Sequence, residues 1–174
     1  MNHPLLDVLD NAVLAWGLAA CGVAQLSKLL IEIVVHRRWR PAVLVETGGM
    51  PSSHSALMTG TSAGIGWLHG YGDPLFALAA TVTFVILYDA SGVRRAAGLT
   101  AARVNALPDG LWDTHPKPGL VDQEPVLRPL KENLGHTRLE VLAGSLIGPA
   151  VALPGLVWAG SPLHLARALL HGIG

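Results

Sequence analysis

Four apolar runs, at about residues 12–35, 54–70, 74–92 and 138–159, constrain this chain most, because each is close to the ~20 residues that carry a helix across a bilayer. Lipid offers no water to peptide groups, so segments of this kind must close their own hydrogen bonds as α-helices. The sequence therefore predicts an all-α fold, a polytopic membrane helix bundle with four spanning helices. Its composition agrees: 51% hydrophobic residues, 14% charged residues and a mean hydropathy of +0.44 exceed what a soluble domain of 174 residues carries. A fifth stretch, 162–172, is shorter and holds His164, Arg167 and His171, which suits a C-terminal interfacial helix. Residues 1–174 read as a single integral membrane domain.

The formal charge is zero, with a pI near 7.1, which argues against nucleic acid as a partner. The cations are nevertheless unevenly placed. Ten of the twelve Lys and Arg residues follow the first apolar run or lie between the third and fourth, and none lies in the loop from His69 to Pro74. The positive-inside rule then puts both termini outside and the basic face in the cytoplasm, with Trp16, Trp67 and Trp158 near the outer boundary and Trp39 near the inner one. The N-terminus is not expected to be a signal peptide, since Asp7 and Asp10 stand where a basic region would be needed. The single Cys21 permits no intramolecular disulfide. Residues 106–129, with Pro108, Pro116, Pro118 and Pro125 among mixed charges, read as a flexible cytoplasmic loop.

Within the apolar runs, Gly60-x-x-x-Gly64 and Gly144-x-x-x-Gly148 have the spacing that lets two membrane helices approach closely, and Pro149 and Pro154 should bend the last spanning helix. Gln25, Lys28, Glu32 and His36 share one face of the first spanning helix. A polar stripe of this kind must face protein, and it admits two readings: a Lys28–Glu32 ion pair with the ammonium snorkelling to the surface, or a functional lysine.

Polar chemistry gathers at three helix ends. Gly48-Gly49-Met50-Pro51-Ser52-Ser53-His54 joins a turn to a helix start, where unpaired N–H groups and the helix dipole favour anions, and His54 is placed to act as a general acid. Asp89, Arg94 and Arg95 follow the third apolar run; a guanidinium suits phosphate oxygens, and adjacent arginines on a helix point about 100° apart, so one should face the site and the other lipid headgroups or Asp89. His136 and Glu140 lie four apart, so the carboxylate can hold one ring nitrogen and leave the other free to attack, with Lys131 five residues upstream.

These residues carry a family resemblance. Pro51-Ser52-Ser53-His54 resembles the Pro-Ser-Gly-His motif, and His136-x-x-x-Glu140-Val141-Leu142-Ala143-Gly144 resembles the His-x-x-x-Asp-Val-x-Ala-Gly motif, of the type 2 phosphatidic acid phosphatase and vanadium haloperoxidase superfamily. TGGMPSSHSA, PLFALA, YDASGVRRAAG and LKENLGH with EVLAG are similar, in that order, to a divergent branch of small bacterial and plastid membrane proteins, over roughly residues 24–148. The resemblance implies a lipid phosphatase in the bacterial plasma membrane, acting without a cofactor at the cytoplasmic face on a lipid phosphate or polyprenyl (di)phosphate. It implies catalytic roles for His136, His54 and Glu140, and phosphate binding by Lys28, Gly49, Ser52, Ser53, Arg94, Arg95 and Lys131.

The chain also departs from the superfamily pattern. Lys28 precedes Arg40-Pro41 by twelve positions, Leu130 and Lys131 stand where an arginine is expected, Glu140 replaces Asp and Ser53 replaces Gly. Four helices would enclose a site less fully than six unless a homodimer completes it. Two other readings therefore stand beside the phosphatase: a non-catalytic binder or carrier of anionic lipid headgroups, and metal-assisted transfer using Asp89 with Glu132 or Glu140.

Overall fold

The computed structural model describes residues 4–44, 48–107 and 129–171, and among them all regular structure is helical. A short α1 (Pro4–Leu9) leads into α2 (Ala12–Val34); a 3₁₀ turn (Pro41–Leu44) precedes α3 (Ser53–His69), α4 (Pro74–Ser91), α5 (Val93–Asn105), α6 (Arg138–Trp158) and α7 (Pro162–His171). The helices begin where the sequence supplies caps. Asn11, Ser52, Asp73 and Thr137 each accept a backbone N–H from the first turn, and Pro74 opens α4 where its missing N–H costs nothing. The proline-rich loop expected at 106–129 falls almost wholly outside the described residues.

Three segments are long and apolar enough to cross a membrane: α2, α4 continued through α5, and α6. The fourth expected span, α3, is different. Its 17 residues reach about 25 Å, short of a ~30 Å hydrocarbon core. Its buried residues are small or hydroxylated: Ser53, Ser55, Ala56, Gly60, Ser62, Gly64 and Gly66. The reason is position, because α3 packs against α2, α4 and α6 and meets protein on most of its circumference. The bundle is accordingly an all-α membrane fold around a central helix of low apolarity.

Close packing at that centre depends on missing side chains. A Cβ on Gly148 would stand 2.6 Å from both Ala56 O and Gly60 N, and one on Gly144 would strike the carbonyl oxygen of Ser52. The two Gly-x-x-x-Gly segments thus bring α3 and α6 into backbone contact as their spacing predicts. The small buried core is Ala20, Ala24 and Ala56, with Ile147 and Val151 against it. Large apolar groups such as Leu26, Leu78, Phe84 and Leu146 point outward, the inverse of a water-soluble core. The α3–α4 contact is polar as well as small: Ser62 and Thr83 hydroxyls lie 2.7 Å apart, and Thr83 also donates to Met58 O at 3.2 Å.

Helix α6 runs through both Pro149 and Pro154 without interruption. At the end of the bundle away from His136, Trp16 Nε1–H donates to Gly160 O at 2.9 Å, and Leu163 N–H donates to Asp10 Oδ1 at 3.1 Å, tying α2 to the α6–α7 turn. Trp16 is therefore packed between helices, whereas Trp67 and Trp158 are exposed.

Candidate active site

The N-terminus of α6 organises the site. Thr137 caps the helix by accepting Glu140 N–H at 3.2 Å, while Glu140 Oε2 reaches back to Thr137 N–H at 3.0 Å, a complete capping box. The same Oε2 lies 3.0 Å from His136 Nδ1. An ionised carboxylate only accepts, so the Nδ1 of a neutral imidazole bears the proton and Nε2 keeps its lone pair. His136 is 6% exposed, and its backbone N–H donates to Ala90 O at 2.9 Å, fixing it to the end of α4.

Two neighbouring segments dock onto this dyad. Ser52 N–H donates to Glu140 O at 3.0 Å, so the start of α3 is bonded directly to the residue that holds His136. The segment 132–136 lies along α5. Gly135, with φ of 76°, passes so near α5 that a Cβ would stand 2.6 Å from Arg95 Cα, and a Cβ on Gly98 would stand 2.8 Å from Leu134 O. Glycine is required at 135 both for the left-handed backbone and for the clearance.

On α2 the structure separates the two readings of the polar stripe. Glu32 pairs with His36 at 2.8 Å, and Lys28 is 4% exposed with no hydrogen bond or ion pair among the described residues. Its ammonium lies within electrostatic reach of Glu140 and of His54. A lysine held among helices without a bonded counter-charge is uncommon in a membrane bundle. His54, in the first turn of α3, lies in turn within electrostatic reach of His136, Lys28 and Arg94. Lys28 on α2 and His54 on α3 are thus within electrostatic reach of the His136–Glu140 dyad.

A cavity of about 500 Å³ opens beside His136 and Glu140. Gly49 and Arg95 line it, as do Glu32, Arg40, Glu132 and Asn133, which the motif reading did not place in the site. Arg40 arrives by a chain reversal. Arg37 adopts φ of 52°, Arg38 N–H returns to Glu32 O at 3.1 Å to close α2, and Gln25 Nε2 holds Leu44 O at 2.8 Å, folding the 3₁₀ turn back along the helix. The twelve-residue gap between Lys28 and Arg40-Pro41 is taken up by this turn, so the Arg-Pro dipeptide was the available signal.

Three expected phosphate contacts are corrected. Ser52 is fully buried, its oxygen accepts from Ser55 N–H and Oγ–H, and its N–H is taken by Glu140, so it is a structural cap. Arg94 Nε bonds Asp89 Oδ2 at 2.6 Å on an exposed face, while Arg95 turns into the cavity. Asp89, the carboxylate of the metal-assisted reading, is thereby engaged by a guanidinium, and among the described residues no group of three or more His, Cys, Asp or Glu is placed to hold a metal ion. Lys131 is exposed and does not line the cavity, and Lys28, Ser53 and His54 are not in its lining either. Ser53 is buried in the first turn of α3, where its N–H has no intrahelical acceptor.

A family model described as "Divergent PAP2 family" matches residues 9–151, which contain every group named above. An uncharacterized membrane protein of Bacillus subtilis (strain 168), YuiD, is 37% identical over 152 residues, covering 85% of this chain and 96% of the relative. No solved structure matches.

Proposed function

This chain belongs to the Divergent PAP2 family, and from that premise we propose that it hydrolyses a lipid phosphate at the cytoplasmic membrane surface through a phosphohistidine intermediate. The observation that carries the reading is the His136 Nδ1–Glu140 Oε2 contact at 3.0 Å, which fixes the tautomer and leaves Nε2 nucleophilic beside a cavity lined by arginine. Nε2 attacks phosphorus, the phosphorus–oxygen bond to the lipid breaks, and the departing alkoxide takes a proton from His54. Water then attacks the phosphohistidine, gives its proton to the now neutral His54, and frees His136 and inorganic phosphate. Glu140 offsets the charge that develops on the His136 ring. Lys28, Arg95 and Arg40, with first-turn N–H groups of α3, supply the electrostatic stabilisation on which phosphoryl transfer chiefly depends.

The test is phosphate release by detergent-purified protein, with chelator present, from phosphatidic acid, phosphatidylglycerol phosphate and polyprenyl mono- and diphosphates. Wild type should release phosphate, and His136→Ala should lower kcat by at least about a thousandfold, the scale of losing a nucleophile. Full turnover by both His136→Ala and His54→Ala would overturn the mechanism. Binding without any release would favour the headgroup carrier.

A further inference from the structure

Six consecutive residues, Glu132 to Thr137, form one wall of the cavity, yet residues 129–137 have no regular structure, so other elements must hold that wall in place. At one end His136 N–H donates to Ala90 O at 2.9 Å. At the other, Asn105, the last residue of α5, grips the chain with its side chain. Its Oδ1 accepts Leu130 N–H at 2.9 Å, and its Nδ2 donates to Leu130 O and to Glu132 Oε1, each at 2.8 Å. Both amide hydrogens are thereby used, and Leu130 is paired through its N–H and C=O as it would be with a neighbouring strand. Asn105 itself does not line the cavity.

The direction of the Glu132 side chain carries the consequence. Its backbone lies beside the middle of α5, where a Cβ on Gly98 would stand 2.5 Å from Glu132 O. Arg95, which lines the same cavity, precedes Gly98 by three residues, a rise of about 4.5 Å, whereas Asn105 follows it by seven, about 10 Å. Charge alone would draw the carboxylate to the nearer guanidinium, yet it is turned to the neutral amide of the more distant residue. We propose that Asn105 is a positioning residue for anion binding: it holds the Glu132 carboxylate away from Arg95 and so leaves that guanidinium to the phosphate. This rests on the cavity being the phosphate site of the proposed reaction, and it concerns binding rather than bond breaking. Without the amide, Glu132 swings toward Arg95 and competes with the incoming anion as an internal ligand.

The experiment titrates inorganic phosphate by calorimetry against the detergent-purified full chain, for wild type, Asn105→Ala, Asn105→Asp, Glu132→Gln and Asn105→Ala/Glu132→Gln, with phosphatidic acid turnover measured on the same preparations. Asn105→Ala should weaken phosphate binding and raise KM about fivefold, the upper range for a partly exposed ion pair that the anion must displace, with kcat within about twofold of wild type. Asn105→Asp keeps an acceptor for Leu130 N–H but sets a second carboxylate against Glu132, so it should lose at least as much. It also decides the matter if Asn105→Ala does not fold. The double variant should bind phosphate as tightly as Glu132→Gln, because the neutral amide cannot replace a carboxylate on the guanidinium. A loss that Glu132→Gln does not relieve would reduce Asn105 to a structural tether and overturn the proposal. Wild-type affinity in Asn105→Asp, or a fall in kcat with KM unchanged, would do the same. Phosphate binding that follows the expected pattern in a protein that hydrolyses no lipid would sustain the role of Asn105 while the hydrolase reading falls. Absence of both phosphate binding and turnover in wild type would remove both.

Discussion

Glu140 occupies a position where the superfamily resemblance leads one to expect Asp, and the hydrogen bonds explain the extra methylene. One oxygen serves two donors, the ring N–H of His136 and the backbone N–H of Thr137, while the Glu140 N–H returns to Thr137 Oγ1. The side chain must leave the third helical residue and reach back past the cap, which is what the longer acid does in a capping box. Helix capping and histidine orientation are thus one arrangement. Thr137→Val removes the acceptor for Glu140 N–H and should cost about 1 kcal/mol of stability. It should also lower kcat modestly with little change in KM, because the Glu140 backbone loses its tie to the cap while its carboxylate keeps only the Thr137 N–H and His136 contacts. Thr137→Ser should restore both. A Thr137→Val protein that is less stable but has unchanged kcat would show the threonine to be structural only. The i,i+4 spacing of His136 and Glu140 made their pairing legible in the sequence, whereas the sharing of one oxygen was not, since it depends on rotamers.

At the level of elements, α3 departs most from its reading by hydropathy. It is too short and too polar to count as a span by composition, yet it is central, because its glycines and hydroxyls admit three neighbouring helices. Glycine spacing identified the α3–α6 contact where hydropathy could not. Gly148→Val should therefore destabilise the fold, since its Cβ would meet the Ala56 carbonyl, at a cost of about 1–3 kcal/mol or more for overpacking. Gly22→Val on α2, where nothing lies within 4 Å, is the matched control. A thermal-shift series in detergent showing equal effects at the two positions would refute the packing argument. The break between α4 and α5 at Gly92 has a functional consequence, because it sets the register in which Arg94 meets Asp89 and Arg95 meets the cavity. That two adjacent arginines diverge follows from helix geometry alone.

For the whole molecule, membrane integration follows from composition and from the membrane-protein relative, and the direction of insertion is a prediction from charge. In a Cys21→Ser background, a cysteine at Gly72 should react with a membrane-impermeant maleimide on intact cells, and one at Arg103 only in inverted vesicles. Opposite labelling would place the site on the outer face. By itself the sequence determined the helical class, the four apolar runs, the cap residues and the histidine, lysine and arginine positions from which a site could be assembled. These are local properties, set by hydropathy, periodicity and capping chemistry over a few residues. Only the tertiary structure decided that Glu32 pairs with His36 rather than with Lys28, that Arg40 returns to the cavity, and that Ser52 caps α3. Each of those outcomes turns on which distant backbone comes within about 3 Å, and in a bundle packed through glycine, contact at that range is fixed by how the helices meet.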